Sequence, residues 1–229
     1  PLERMNQGRL SRQCIESDLD ESLKALGVDV IDLYWLHRDD VTQPVEGIME
    51  ILTEFVNKGK VRAVGCSNWK VERIAQANAY AKSRGLVPFS ASQIQWSLAT
   101  STPEAHGDPT IVCMNEHECA WYLKEQLPVF AYSSQAKGFF TRAAAKGLDA
   151  INKKALDRFC TTENIARLER VKEYASQTGL TPTSVALGFI LCNRIPAAAI
   201  VGCKNADQLW DSLTAADVEL PETVIEWLY

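Results

Sequence analysis

The sequence of 229 residues lacks several features that mark particular classes of protein. No apolar run approaches the ~20 residues that a membrane-spanning helix needs, and the first twenty residues are too polar for a signal peptide. Basic residues are not in excess, since 24 lysines and arginines stand against 29 aspartates and glutamates. Nucleic-acid binding needs a basic face. The composition therefore predicts a cytoplasmic protein with no membrane or nucleic-acid partner.

Cysteine and histidine patterns typical of zinc sites are also absent. The seven cysteines form no C-x-x-C pair, and neither they nor the three histidines have ligand spacing. Most of the cysteines lie among apolar residues, which predicts small core residues in a reducing compartment. The chain is 46% hydrophobic and 23% charged, as expected of one domain with a substantial core.

Strand-like and helix-like segments alternate along the chain. Strands are predicted at 31–36, 61–67, 91–96, 129–134 and 198–204, and helices at 17–26, 44–58, 71–84, 113–126, 162–178, 183–192 and from 206. This order predicts right-handed βαβ units and a parallel sheet. The G-x-G-x-x-G of open nucleotide-binding sheets is absent. We therefore expect an α/β fold of the (β/α)8 TIM-barrel type, with about five of the eight units present in a single partial domain over 1–229.

Polar residues follow the predicted strands, where barrels of this type carry their chemistry. They are His37-Arg38-Asp39-Asp40, Ser67-Asn68, Gln93, Tyr132-Ser133-Ser134-Gln135 and Gly202-Cys203-Lys204-Asn205. Amides such as Asn68 and Gln93 each offer a donor and an acceptor, which suits a carboxamide. Tyr132 offers a ring for stacking, and Gly202–Asn205 before a helix offers a phosphate site. A nicotinamide nucleotide would use all of these groups.

Five motifs resemble the aldo-keto reductase superfamily and occur in its order. They are D-L-D-E-S-L-K-A-L-G-V-D-V-I-D-L-Y-W-L-H, G-K-V-R-A-V-G-C-S-N-W, the Gln93 strand, A-Y-S-S-Q-A-K-G-F-F and I-V-G-C-K-N-A-D-Q-L-W-D-S. The resemblance covers essentially the whole chain. It implies a (β/α)8 barrel that binds NADP(H) and reduces aldehydes or ketones to alcohols, with NAD(H) as an alternative cofactor.

The resemblance also implies roles for individual residues. His37 resembles the active-site histidine that orients the substrate carbonyl, and Tyr132 the aromatic residue stacked on the nicotinamide. The residues that resemble carboxamide ligands are Ser67, Asn68 and Gln93. Those that resemble the pyrophosphate loop are Ser133, Gln135 and Lys137. Those that resemble the segment at the adenosine end are Gly202, Cys203, Lys204, Gln208, Asp211 and Ser212. Segment 139–162 is polar and rich in alanine, and we expect it to be a loop over the cofactor or a plain surface excursion. Trp35, Trp69 and Trp96 are expected to line an aromatic pocket.

The sequence departs from the family at several positions. Many members have arginine at position 208 and asparagine at position 212, which bears on the preference for NADP over NAD. The family's catalytic tyrosine, lysine and aspartate come from its first three strands, which the resemblance places before residue 17. Those three residues and the active-site histidine form the family's catalytic tetrad, and only the histidine is matched here, by His37. We therefore expect this chain alone to be inactive and to self-associate through open barrel edges.

Two other functions are compatible with these residues. The first is a nicotinamide-nucleotide-binding module of the same fold without turnover. The second is a barrel hydrolase with His37, Asp39 and Asp40 as metal ligands, which would lose its activity in the presence of a chelator.

Overall fold

The computed structural model describes residues 8–229, which form two compact units. Among the described residues, one unit comprises 8–93 together with 110–112, and the other comprises 94–109 and 113–229. The alternation of strands and helices is confirmed, and the pairs β1–β2, β2–β3 and β4–β5 defined below are parallel. No helix in the described part of the chain is long and apolar enough to cross a membrane.

The first unit places three helices beside three strands in the order β1-β2-β3. Its elements are α1 (Arg12–Leu26), β1 (Ile31–Leu36), α2 (Val45–Asn57), β2 (Val61–Ser67), α3 (Val71–Arg84) and β3 (Ala91–Gln95). The last two residues of β3 belong to the second unit. Helix α2 buries Ile48, Met49, Leu52 and Phe55, a spacing that puts them on one face.

The second unit contains two further strands and most of the helices. Its elements are α4 (Pro103–His106), α5 (Glu116–Glu125), β4 (Val129–Tyr132), α6 (Phe139–Lys146), α7 (Lys153–Phe159), α8 (Thr162–Thr178), α9 (Pro182–Leu191), β5 (Ala197–Ala199), α10 (Ala206–Leu213) and α11 (Glu222–Leu228). Short 3-10 turns lie at Ala136–Gly138, Leu148–Ala150 and Thr214–Asp217. Helix α9 is buried along almost its whole length, which explains its lack of a polar stripe.

A glycine in β2 is required by the packing of the first unit. Gly65 pairs with Trp35 in the β1–β2 register. A β-carbon at Gly65 would lie 2.5 Å from the Trp35 ring, which is far inside van der Waals contact. The absence of a side chain at Gly65 therefore lets the indole of Trp35 lie directly against the backbone of β2.

Three predicted element bounds differ from the structure by three residues or more. Helix α1 begins at Arg12 with Ser11 as its N-cap, whereas this helix was predicted to begin at residue 17. Residues 12–16 extend the helix because Ile15 adds to its buried face and Arg12 pairs with Glu16 at 3.1 Å. Helix α5 begins at Glu116, since Asn115 caps it. Strand β5 ends at Ala199, five residues before the predicted end.

The predicted loop over 139–162 is helical. Helices α6 and α7 occupy most of it. The alanines favour helix, and Phe140 and Ala143 lie three residues apart, so that both are buried on one face of α6. The prediction of an irregular loop here was wrong because it weighed polarity above this spacing.

Candidate functional site

His37 lies directly after β1, with an exposed side chain beside a buried arginine. Arg38 Nη1 lies 3.0 Å from His37 Nε2 and donates to the His37 carbonyl oxygen at 2.9 Å. Arg38 Nε donates to Thr110 Oγ1 at 3.0 Å. These contacts hold the arginine against both the ring and the backbone of His37.

The loop after His37 is anchored to α3. Arg73 and Asp39 form an ion pair at 3.2 Å, with side chains only 14% and 12% exposed. Arg73 also donates to the Asp40 carbonyl oxygen at 3.2 Å and lies over the Trp69 ring, 5.2 Å from its centroid. Burial raises the pKa of Asp39, and the charge of Arg73 opposes that shift.

This arrangement does not suit the metal-binding hypothesis for the same loop. The Asp39 carboxylate is committed to Arg73, and His37 Nε2 is next to a guanidinium cation. Within residues 8–229, no cluster of three or more histidine, cysteine, aspartate and glutamate side chains is placed to hold a metal ion.

Ser67, Asn68 and Gln93 come together where β2 and β3 lie side by side. Ser67 Oγ donates to the Gln93 carbonyl oxygen at 3.0 Å, and Asn68 Nδ2 donates to Ser67 Oγ at 2.9 Å. The Asn68 Oδ1 accepts from the Val112 amide at 3.0 Å. Asn68 has φ of 58°, a left-handed conformation that asparagine tolerates better than most residues. Both the nitrogen and the oxygen of the Asn68 side-chain amide are therefore hydrogen-bonded.

In the second unit, the turn after β4 has an unusual backbone. Ser133, Ala136 and Lys137 have φ values of 53°, 46° and 55°. Left-handed residues other than glycine cost ~1 kcal/mol or more each, and such residues cluster at functional sites. Ser134 Oγ donates to the Ile200 carbonyl oxygen at 2.7 Å, which fixes this turn against the segment after β5.

The segment between β5 and α10 is held by its own side chains. Asn205 caps α10 by accepting from the Gln208 amide at 3.0 Å, and Gln208 Oε1 accepts from the Lys204 amide at 3.0 Å. Asp211 accepts from Thr181 Oγ1 at 2.9 Å. Cys203 Sγ lies 3.7 Å from Ser212 Oγ. Lys204 itself is exposed.

These two segments border a cleft of about 620 Å³. Its lining includes four cationic side chains and one carboxylate, namely Lys137, Arg142, Lys154, Lys204 and Asp211. Burial lowers the pKa of Lys137, and so do the nearby charges of Arg158 and Lys154. A cation whose pKa is lowered by neighbouring positive charges is stabilised by an anion. The cleft therefore suits a phosphate-bearing ligand.

The cleft contains most of the residues predicted for the second unit. Predicted residues in its lining are Ser133, Gln135, Lys137, Gly202, Lys204, Gln208, Asp211 and Ser212. Tyr132, which is partly exposed, and Cys203 are not in the lining. The sequence reasoning missed Arg142, Asn152 and Lys154, because it treated their segment as a loop. The recurrence of basic residues between 142 and 154 was the available signal.

The aromatic pocket is not supported for two of its three tryptophans. Trp69 is fully buried and packs edge-on against Phe89, with ring centroids 5.1 Å apart. Trp96 is 3% exposed and packs edge-on against Phe189 at 6.4 Å. Both belong to the core. Trp35 is partly exposed and lies over Gly65.

The chain has a parallel α/β fold with polar groups after its strands, and its second unit contains a cationic cleft. The model of the aldo/keto reductase family matches residues 2–228. The chain therefore belongs to the aldo/keto reductase family.

Two curated relatives and one solved structure agree with this membership. An uncharacterized oxidoreductase of Bacillus subtilis, YrpG, is 28% identical over 219 residues, which is 96% of this chain. The Schizosaccharomyces pombe aldo-keto reductase yakc [NADP(+)] is 27% identical over 93% of this chain. A thermostable aldo-keto reductase, Tm1743, solved with the inhibitor epalrestat, matches 96% of the chain at 20% identity and a TM-score of 0.67. That likeness shows the fold.

The matches cover only part of each relative. This chain spans 64% of the Bacillus protein, 60% of the yeast protein and 66% of the solved chain.

Proposed function

We propose that this chain binds NADP(H) and takes part in the reduction of aldehydes or ketones to alcohols. The observation that carries the proposal is the cleft lined by Lys137, Arg142, Lys154 and Lys204 in a chain of this family. Four cations around one carboxylate favour a ligand with several phosphates, because each phosphate adds charge-assisted hydrogen bonds. The additional 2′-phosphate of NADP(H) favours it over NAD(H) in such a cleft.

The other predicted residues receive roles within the unit to which each belongs. In the first unit, Ser67, Asn68 and Gln93 would hold the carboxamide, and His37 would orient the carbonyl oxygen of a small substrate. In the second unit, Tyr132 would pack against the nicotinamide ring. When bound, the cofactor supplies a hydride to the carbonyl carbon. The resemblance assigns the proton donor to a tyrosine of the family's first three strands.

The first test is a fluorescence titration of this chain with NADPH and, separately, with NADH. We expect NADPH to bind at least about tenfold more tightly, which corresponds to ~1.4 kcal/mol for contacts to the extra phosphate. The absence of saturable binding of either nucleotide would overturn the proposal. Equal affinities would overturn the preference for NADP(H).

A second test addresses turnover. The chain extended upstream by the family's first three strands is incubated with NADPH and a simple aromatic aldehyde, and the loss of nicotinamide absorbance is followed. Turnover supports the reductase. If the extended chain binds NADPH but reduces none of a panel of aldehydes and ketones, the reductase proposal is overturned in favour of a non-catalytic nucleotide-binding module.

Compartment and association follow from the same proposal. All seven cysteines are free thiols, which supports a reducing, cytoplasmic compartment. Among residues 8–229, β1 lies at one end of the strand order in the first unit, and an edge strand favours association with another chain. Self-association of this chain, measured by analytical ultracentrifugation, stays our prediction. A monodisperse monomer with a cooperative melting transition would contradict it.

A further inference from the structure

We propose that Arg38 is a positioning residue that holds His37 as the neutral imidazole with its proton on Nδ1. The proposal starts from the 3.0 Å contact between Arg38 Nη1 and His37 Nε2. A guanidinium group has five N–H donors and no acceptor, and it stays protonated in proteins. Nε2 must therefore accept in this contact. A protonated ring would place two donors against each other, so the contact selects the neutral ring.

The position of the guanidinium is fixed by two further hydrogen bonds. Arg38 Nη1 also donates to the carbonyl oxygen of His37 at 2.9 Å. The same arginine nitrogen therefore contacts both the ring and the backbone of His37. Arg38 Nε donates to Thr110 Oγ1 at 3.0 Å. Arg38 is only 9% exposed. Hydrogen bonds that involve a charge are strong where water is excluded, so the arrangement orients the His37 ring as well as its proton.

The consequence for chemistry rests on the proposed function. With Nε2 accepting from Arg38, Nδ1–H is the hydrogen-bond donor of the neutral ring. A neutral imidazole donor polarises and orients a carbonyl oxygen but has no readily released proton. His37 would then position the substrate, and the proton would come from another group. This role differs from that of an imidazolium acid, which would need an acceptor beside Nε2.

The tautomer is observable without cofactor or substrate. Long-range proton–nitrogen NMR correlations on the ¹⁵N-labelled chain distinguish a protonated from an unprotonated ring nitrogen. The chain has three histidines, and the signals of His37 are assigned by their loss in His37→Gln. Imidazole in water favours the proton on Nε2, so a protonated Nδ1 at neutral pH is diagnostic. Because no cofactor is present, the result does not depend on the proposed function.

The variant Arg38→Gln tests whether the arginine is the cause. We expect the wild-type chain to show Nδ1–H and Arg38→Gln to shift most of the population to Nε2–H. The matched control is Arg84→Gln, at an exposed arginine at the end of α3, which should leave the tautomer unchanged. A wild-type ring protonated on Nε2, or an Nδ1–H form that persists in Arg38→Gln, would overturn the proposal.

Folding is checked by the amide fingerprint of each variant. If Arg38→Gln does not fold, Arg38→Lys takes its place. An ammonium group keeps the charge but cannot reproduce the planar fork that reaches the ring, the carbonyl and Thr110 together. The Nδ1–H population should therefore decrease, and an unchanged population in Arg38→Lys would equally overturn the proposal.

Discussion

Gln135 Nε2 donates a hydrogen bond to Ser212 Oγ at 2.8 Å, which joins the turn after β4 to helix α10. Ser212 Oγ in turn donates to the Gln208 carbonyl oxygen at 2.8 Å. Ser212 is 7% exposed. One buried hydroxyl therefore links the two segments that border the cationic cleft, and the shape of the cleft depends on it.

Replacing this hydroxyl should weaken cofactor binding. In Ser212→Ala, the Gln135 amide loses its acceptor, and a lost hydrogen bond of this kind costs about 1 kcal/mol. We expect the Kd for NADPH to rise about fivefold, measured by fluorescence titration. Ser17→Ala, at an exposed serine of α1, is the control. Equal affinity of Ser212→Ala and wild type would show that the link does not shape the binding site.

Adjacent lysines at the start of α7 provide a matched test of the cleft. Lys154 lines it, whereas Lys153 pairs with Asp157 at 3.2 Å. We expect Lys154→Gln to raise the Kd for NADPH about tenfold, because a phosphate contact from a cation contributes ~1.5 kcal/mol. Lys153→Gln should change it less than twofold. The difference should shrink at high salt. Equal effects of the two substitutions would mean that overall charge, not the cleft, governs binding.

The sequence predicted well those features that depend on local patterns. Helix α3 and helix α8 have the predicted bounds, because Gly85 and Gly179 end them in the left-handed conformation. The polar residues after β4 and β5 were found because parallel strands carry such residues at one edge. Each of these signals lies within a few residues of the feature it predicts.

Other features depend on contacts between distant residues and were not predictable in this way. Trp69 resembles a pocket residue in sequence, since it follows Ser67 and Asn68, yet Phe89 and Arg73 enclose it. Arg38 carried no signal of its own, because its contact with Thr110 spans 72 positions. Arg142 and Lys154 enter the cleft only because α6 and α7 pack beside the 3-10 turn Ala136–Gly138 that follows β4, which periodicity does not reveal.

The close approach of Trp35 to Gly65 predicts a stability effect. In Gly65→Ala the new methyl group would overlap the indole ring, and overpacking of this kind costs about 1–3 kcal/mol. We expect the midpoint of urea unfolding to decrease accordingly. Trp35→Leu removes the overlap and should reduce the cost of Gly65→Ala in a double-mutant cycle. Additive effects of the two substitutions would contradict the packing account.

His106 provides a prediction for the pH dependence of stability. Its Nε2 is buried with no hydrogen-bond partner within residues 8–229, and its ring packs edge-on against Phe159 at 5.9 Å. The pKa of His106 is lowered to about 4, first by burial and then by the charges of Arg158 and Lys137, while Asp108 opposes the shift. The folded chain therefore resists protonation at this position.

The direction of the effect follows from proton linkage. In the unfolded chain His106 titrates near ~6.5, so between that value and about 4 the unfolded state binds more protons. The free energy of unfolding should therefore decrease as the pH falls from 6.5 towards 4, and His106 should add no pH dependence above 6.5. Because the ring is partly exposed, we expect a loss of about 1–2 kcal/mol, measured by urea unfolding across this range. His106→Gln should flatten the profile. A profile that keeps its slope in His106→Gln would assign the acid sensitivity to the carboxylates instead.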